Sequence, residues 1–158
     1  MGIEMKLYTS YFYQIRFFTP NMIPLSTAWI DPKWFYAFQK QGYVHKDKNG
    51  VYNGLRAEPL HPDETCDGLC HGPEGCDQEP SYCRFLQRYR RQLDKLDCAE
   101  IVARAERLAR KIQDKEGFTE EPVIVFIFHE APNNPCSERW VVQQWFRANG
   151  YTISEWKK

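Results

Sequence analysis

The 158-residue sequence predicts a single α/β domain with a mainly parallel sheet, helices on both faces and a cysteine-rich metal-binding insert over residues 41–83. Three observations carry that expectation. Val123 to Phe128 is an unbroken run of β-branched and aromatic residues, too short for a membrane span and suited to a strand buried on both faces. Strand-like and helix-like patterns lie in the order β-β-α, insert, α-α, β-α-β, which is the alternation of an α/β fold. From Gln41 to Tyr82 apolar periodicity is lost, and four cysteines stand in or next to that stretch.

Met5 to Phe12 reads as the first strand, with hydroxyl and aromatic residues at its end. A second strand fits Met22 to Ala28, edged by Pro20 and Pro24, with Ser26 and Thr27 near its end. Asp31 followed by Pro32 carries the signals of an N-cap and first helical position, for a helix from Lys33 to Phe38 that Gly42 stops. In the stretch that follows, Asn49-Gly50 and Asn53-Gly54 predict tight turns or a small hairpin.

Tyr82, Phe85, Leu86, Tyr89, Leu93 and Leu96 then form one stripe of period 3.6, a helix with a single buried face. Asp97 with Glu100 resembles a capping box, and Ile101, Val102, Ala105, Leu108, Ala109 and Ile112 form the stripe of a second helix, ended by Gly117. After the central strand, Trp140 to Phe146 is amphipathic, Gly150 closes that helix, and Tyr151 to Trp156 alternates like an edge strand.

An unstructured connection of that length is unusual in a compact domain, so something local must order the Gln41 to Tyr82 stretch. Cys66, Cys70, Cys76 and Cys83, with His71, fall within eighteen residues among Gly68, Gly72 and Gly75. Soft ligands on turns suit tetrahedral zinc, and the sequence predicts a structural zinc ion on the four thiols. An iron–sulfur centre is less favoured, disulfides or free thiols are the other options, and His71 is able to replace any one thiol. Cys98 lies on a helix stripe and reads as an ordinary buried residue.

The candidate site is the loop after the central strand, His129 to Arg139, where a cysteine, a histidine, two glutamates and an arginine fall within eleven residues. In open α/β sheets, ligands bind beyond the carboxyl ends of the strands, where helix N-termini present free N–H groups. Asn134 and Pro135 fit an N-cap and first helical position, which would put Cys136 in the first turn, where the helix field favours a thiolate. The catalytic candidates are Cys136 as nucleophile or anion contact, Arg139 as charge clamp and Glu130 as base. Thr9, Ser10, Tyr11, Ser26 and Thr27, at the ends of the first two strands, are the ligand-binding candidates. The competing arrangement pairs Glu130 with Arg139 and packs Cys136 under the helix. Cys136 and Arg139 are only three apart, so the C-x5-R loop of protein phosphatases is not present there.

Net charge is zero, which is no bulk reason to expect nucleic acid. The charge is segregated, however: Glu58 to Pro80 holds seven acids and no base, and Tyr82 to Lys115 holds ten bases against five acids. No apolar run reaches membrane-spanning length and no basic-then-apolar leader is visible, so the expected location is the cytoplasm, with no membrane partner.

Leu7 to Phe12, Ile23 to Ser26, Asp31 to Trp34, the buried strand with His129 to Pro132, and Pro135 to Arg139 together resemble the bacterial family catalogued as domain of unknown function 488. The insert from Cys66 to Cys83 marks a subgroup. Members show a Glu-Lys-Pro turn and a Cys-His-Arg triplet; here Ala131 stands for the lysine, Ser137 for the histidine, and the arginine comes one residue later as Arg139. The resemblance implies the fold and the location of the site, and no particular chemistry.

Two functions therefore fit the sequence. One is a protein that binds or acts on a small anionic or nucleotide-like ligand around Cys136. The other is a non-enzymatic, zinc-stabilised module that meets a protein or nucleic acid, with the basic stripe of Arg84, Arg88, Arg90, Arg91 and Lys95 touching phosphate.

Overall fold

The computed structural model describes residues 5–36, 44–70 and 79–158. Its centre is a four-stranded, wholly parallel sheet in the order β2-β5-β1-β6, built from β1 (Lys6–Tyr11), β2 (Met22–Ser26), β5 (Val123–Phe128) and β6 (Ile153–Glu155). The apolar run is the inner strand β5, paired over its full length with β1 and along most of it with β2. Five of its six residues are buried, because both faces of the sheet are covered. The expected edge strand is β6, shorter than the alternating pattern, beside β1.

The two faces are covered unequally, three long helices on one and a short helix with a 3₁₀ segment on the other. Helices α2 (Arg84–Asp94), α3 (Cys98–Glu116) and α4 (Glu138–Ala148) all pack their stripes on one face, against Leu7, Ile23, Leu25, Ile124, Phe126 and Phe128. The other face presents Val125 and Ile127 to a 3₁₀ segment (Phe12–Phe17), to Phe35 of the short α1 (Lys33–Tyr36) and to Val51. A pleated strand sends alternate residues to opposite faces, so the run of β5 feeds both cores at once.

The helix limits follow their end signals. Asp97 caps α3 by accepting from the N–H of Glu100, and Gly117 ends it in the left-handed region at φ 74°. Asp31 does not cap α1 as expected. Its side chain is fully enclosed, and Oδ1 accepts from the hydroxyl of Ser26 and from Nη1 of Arg56. Gly42, the expected stop of that helix, lies outside the described residues.

The described part of the insert is ordered by packing and hydrogen bonds with the main domain. Strands β3 (His45–Lys46) and β4 (Tyr52–Asn53) form the small hairpin, whose turn is closed by the Gly50 N–H on the Asp47 carbonyl, with Gly50 at φ 80°. Tyr52 donates to Glu116 at 2.7 Å, which ties the hairpin to the end of α3 and, with burial, pushes its phenol up to about 12. Leu55 to Ala57 runs along the outer edge of β2, with Ser26 N–H on the Leu55 carbonyl and Ala57 N–H on the Ser26 carbonyl. Leu60 and Cys66 enter the helix-side core. Gln92 of α2 reaches the chain beyond, donating to the His61 carbonyl at 2.7 Å and accepting from the Asp63 N–H at 2.9 Å. Among the described residues, no helix is long and apolar enough to cross a membrane.

Candidate functional site

The carboxyl ends of β1 and β5 open toward the start of α4, and the chain between Phe128 and α4 is the loop that the sequence marks. The helix begins later than Asn134 and Pro135 predict. Ser137 is the N-cap, accepting from the Arg139 N–H at 3.3 Å, and Glu138 is the first helical residue. Asn134 instead accepts from the Cys136 N–H at 2.8 Å, forming a turn ahead of the helix. Cys136 thus precedes the cap and does not stand in the first turn of the helix. The residue is half-buried and packs against the helix-side core.

Arg139 is the largest fully buried side chain among the described residues. Its Nη2 donates to the Ser10 carbonyl at 3.0 Å, and its Nε lies 3.0 Å from Oε1 of Glu155 on β6. The aromatic rings of Tyr11, Phe128 and Trp140 stand within 6.0 Å of the guanidinium carbon. Burial pulls the guanidinium pKa down and that of the Glu155 carboxyl up, and the attraction between the two opposes both shifts. Arg139 is therefore an internally neutralised charge, not the open clamp expected of it. Its Nη1 and Oε2 of Glu155 are buried without a hydrogen-bond partner among the described residues, a condition native proteins seldom leave unanswered.

Glu130 and Glu138 meet beside this ion pair. Burial, the adjacent Glu130 carboxylate and a hydrogen bond with it push the Glu138 carboxyl up to about 8. Close carboxyl pairs resist double ionisation, and that is the direction in which the Glu138 carboxyl is pushed. Tyr89 of α2 borders the pair. Its hydroxyl is fully buried and donates to the Leu60 carbonyl at 2.5 Å, and burial with the nearby carboxyls raises its pKa well above the usual tyrosine range.

The ligand-binding candidates divide into two groups. Thr9, Ser10 and Tyr11 do meet the Arg139 centre. Thr9 donates to Glu155 at 2.8 Å and accepts from Gln143 at 2.7 Å, Ser10 donates to the Trp156 carbonyl, and the Tyr11 ring faces Arg139. Thr9 and Ser10 are wholly buried, so they frame the centre from behind. Ser26 and Thr27 lie beyond β5 at the end of β2, in a separate network. Thr27 donates to the Ile127 carbonyl, and Ser26 joins Asp31 and Arg56, whose guanidinium also contacts Glu58, the Ala28 carbonyl and His61.

Of the predicted zinc ligands, Cys66 is buried in the core with its thiol 3.9 Å from Gln92 Oε1, and burial raises its pKa. Cys70 is exposed and Cys83 half-buried, while Cys76 and His71 lie outside the described residues. Among the described residues, no group of three histidine, cysteine or acidic side chains is placed to hold a metal ion. Cys98 is buried, and its thiol is pushed up to about 11 by burial.

Sequence reasoning missed Glu155 and counted Glu138 among the two glutamates of the loop without giving it a role. The signal for Glu155 was its spacing: in an alternating strand it shares a face with buried Ile153, and an acid at an inward position needs a partner. Glu138 carried no such signal, because a glutamate in the first helical turn is ordinary.

Comparison of the chain with protein-family models, with curated proteins and with solved structures finds no match in any of the three.

Proposed function

We propose that the protein binds a small molecule at the carboxyl end of β5 and that the Glu130–Glu138 pair moves a proton there. The observation that carries this reading is the pairing of Glu138, at the start of α4, with Glu130 of the preceding loop, where burial and the neighbouring carboxylate raise the Glu138 carboxyl. A carboxylic acid with a pKa near 8, hydrogen-bonded to a carboxylate, is able to give a proton to a ligand and take one back at physiological pH. Arg139 is a positioning residue: held by Ser10 and Glu155, it fixes the start of α4 and hence Glu138. Its Nη1 and Oε2 of Glu155, which have no hydrogen-bond partner among the described residues, offer a donor and an acceptor to a polar group. The motif resemblance to the domain of unknown function 488 family supports the same location and adds no reaction.

The test is calorimetric. Binding of adenosine monophosphate, chosen as a small anionic probe, is measured in two buffers of different ionisation enthalpy. If the ligand engages the pair, the observed heat depends on the buffer in the wild type and not in Glu138→Gln. A bound ligand with buffer-independent heat in the wild type contradicts proton transfer at this pair.

A further inference from the structure

Between α2 and α4 runs a groove of about 470 Å³, within the usual size range of small-molecule sites. One wall carries Leu86, Arg90 and Arg91 of α2, and the other carries Trp140 and Gln144 of α4, with Pro135 of the loop alongside. These residues are not an even polar surface. Arg90 is held in place by donating to Gln144 at 2.6 Å across the groove. Arg91 is exposed and makes no hydrogen bond or ion pair among the described residues, so its five donors face solvent. Among the described residues of the lining Asp94 is the only acid, against the two arginines, an excess of one positive charge.

Trp140 connects this groove to the buried centre. Its indole N–H donates to the Asn134 carbonyl at 3.0 Å, which fixes the ring, and the guanidinium of Arg139 lies 6.0 Å from the ring centroid. A planar group laid on Trp140 would therefore sit next to the loop that leads into Glu138, with two guanidiniums opposite. Guanidiniums recognise phosphate and carboxylate through paired N–H bonds, and a fixed indole suits a flat ring.

We propose that this groove binds a mononucleotide-sized anion, its phosphate held by Arg90 and Arg91 and its ring against Trp140. The inference rests on the reading that a small molecule is bound beside the Pro135 to Arg139 loop, and names its class. The excess charge of one makes an extended polyanion the poorer match, and a single phosphate the better one.

The experiment titrates the full chain with adenosine monophosphate and with inorganic phosphate, in the wild type and in Arg90→Gln, Arg91→Gln and Arg107→Gln. Arg90 and Arg91 are exposed, so both variants should fold, which thermal melting checks. Saturable binding of the nucleotide, weakened about tenfold in each groove variant, unchanged in Arg107→Gln and competed by phosphate, is the expected result. An affinity that is the same in Arg90→Gln and Arg91→Gln as in the wild type overturns the proposal. So does binding of single-stranded RNA alone, with no response to the mononucleotide. Failure of the acid–base reading is separable: nucleotide binding that depends on both arginines but exchanges no proton leaves the groove standing and removes the role of Glu138. Proton-linked binding that ignores both arginines does the reverse.

Discussion

Nε of Arg139 stands 3.0 Å from Oε1 of Glu155, so that the first turn of α4 and the edge strand β6 are joined by an ion pair whose arginine is fully enclosed. Removing either partner leaves a charge in a place built for two. Glu155→Gln is expected to lower stability by about 3 kcal/mol, because desolvation of the remaining guanidinium is then uncompensated. Arg139→Met combined with Glu155→Gln should cost less than the sum of the single changes, and urea denaturation of the four proteins measures the coupling.

The raised pKa of the Glu138 carboxyl makes stability depend on pH. Its folded pKa, about 8, lies above the ordinary 4.5. The folded state thus binds more protons than the unfolded state between those values, and stability falls as pH rises through that window. The contribution is fully present below about pH 4.5 and lost above pH 8, with a slope of at most about 1.4 kcal/mol per pH unit. Glu138→Gln should flatten the dependence, as chemical denaturation at pH 5, 6.5 and 8 would show.

Arg56 is predicted to hold the insert against β2. It joins Asp31, whose side chain is fully enclosed, to Glu58 and the Ala28 carbonyl. Arg56→Met strands the Asp31 carboxylate, at a cost of about 3 kcal/mol. Amide exchange at Ala57, which bonds the Ser26 carbonyl, should accelerate before exchange in β5 does. Equal acceleration in both segments contradicts a local latch.

Elemental analysis decides the zinc proposal. About one zinc per chain in protein kept reduced is the outcome expected if Cys66, Cys70, Cys76 and Cys83 share an ion. Its absence leaves Cys66 as a core thiol beside Gln92, which is how the described residues place it.

The parts of the fold that come from one-dimensional patterns were legible in the sequence. The run Val123 to Phe128 announced an inner strand, and the stripes of α2 and α3 announced their buried faces, because burial repeats with the geometry of each element. What depends on distant partners was not. Asp31 has the sequence signs of a cap, yet Arg56 and Ser26, brought to it by the edge pairing of Leu55 to Ala57, claim its carboxylate. Asn134 and Pro135 similarly carry helix-start signals, but an Asx turn onto Cys136 delays the helix to Ser137. Arg139 was found from its loop, while the acid that neutralises it came from the far end of the chain.

Carboxyl-carbon NMR of the glutamates as a function of pH is the measurement that tests the Glu130–Glu138 pair. The Glu138 carboxyl is expected to titrate near pH 8, and Glu130→Gln is expected to lower that value by removing the neighbouring charge. Independent titration of both residues near 4.5, unaltered by either substitution, would contradict it.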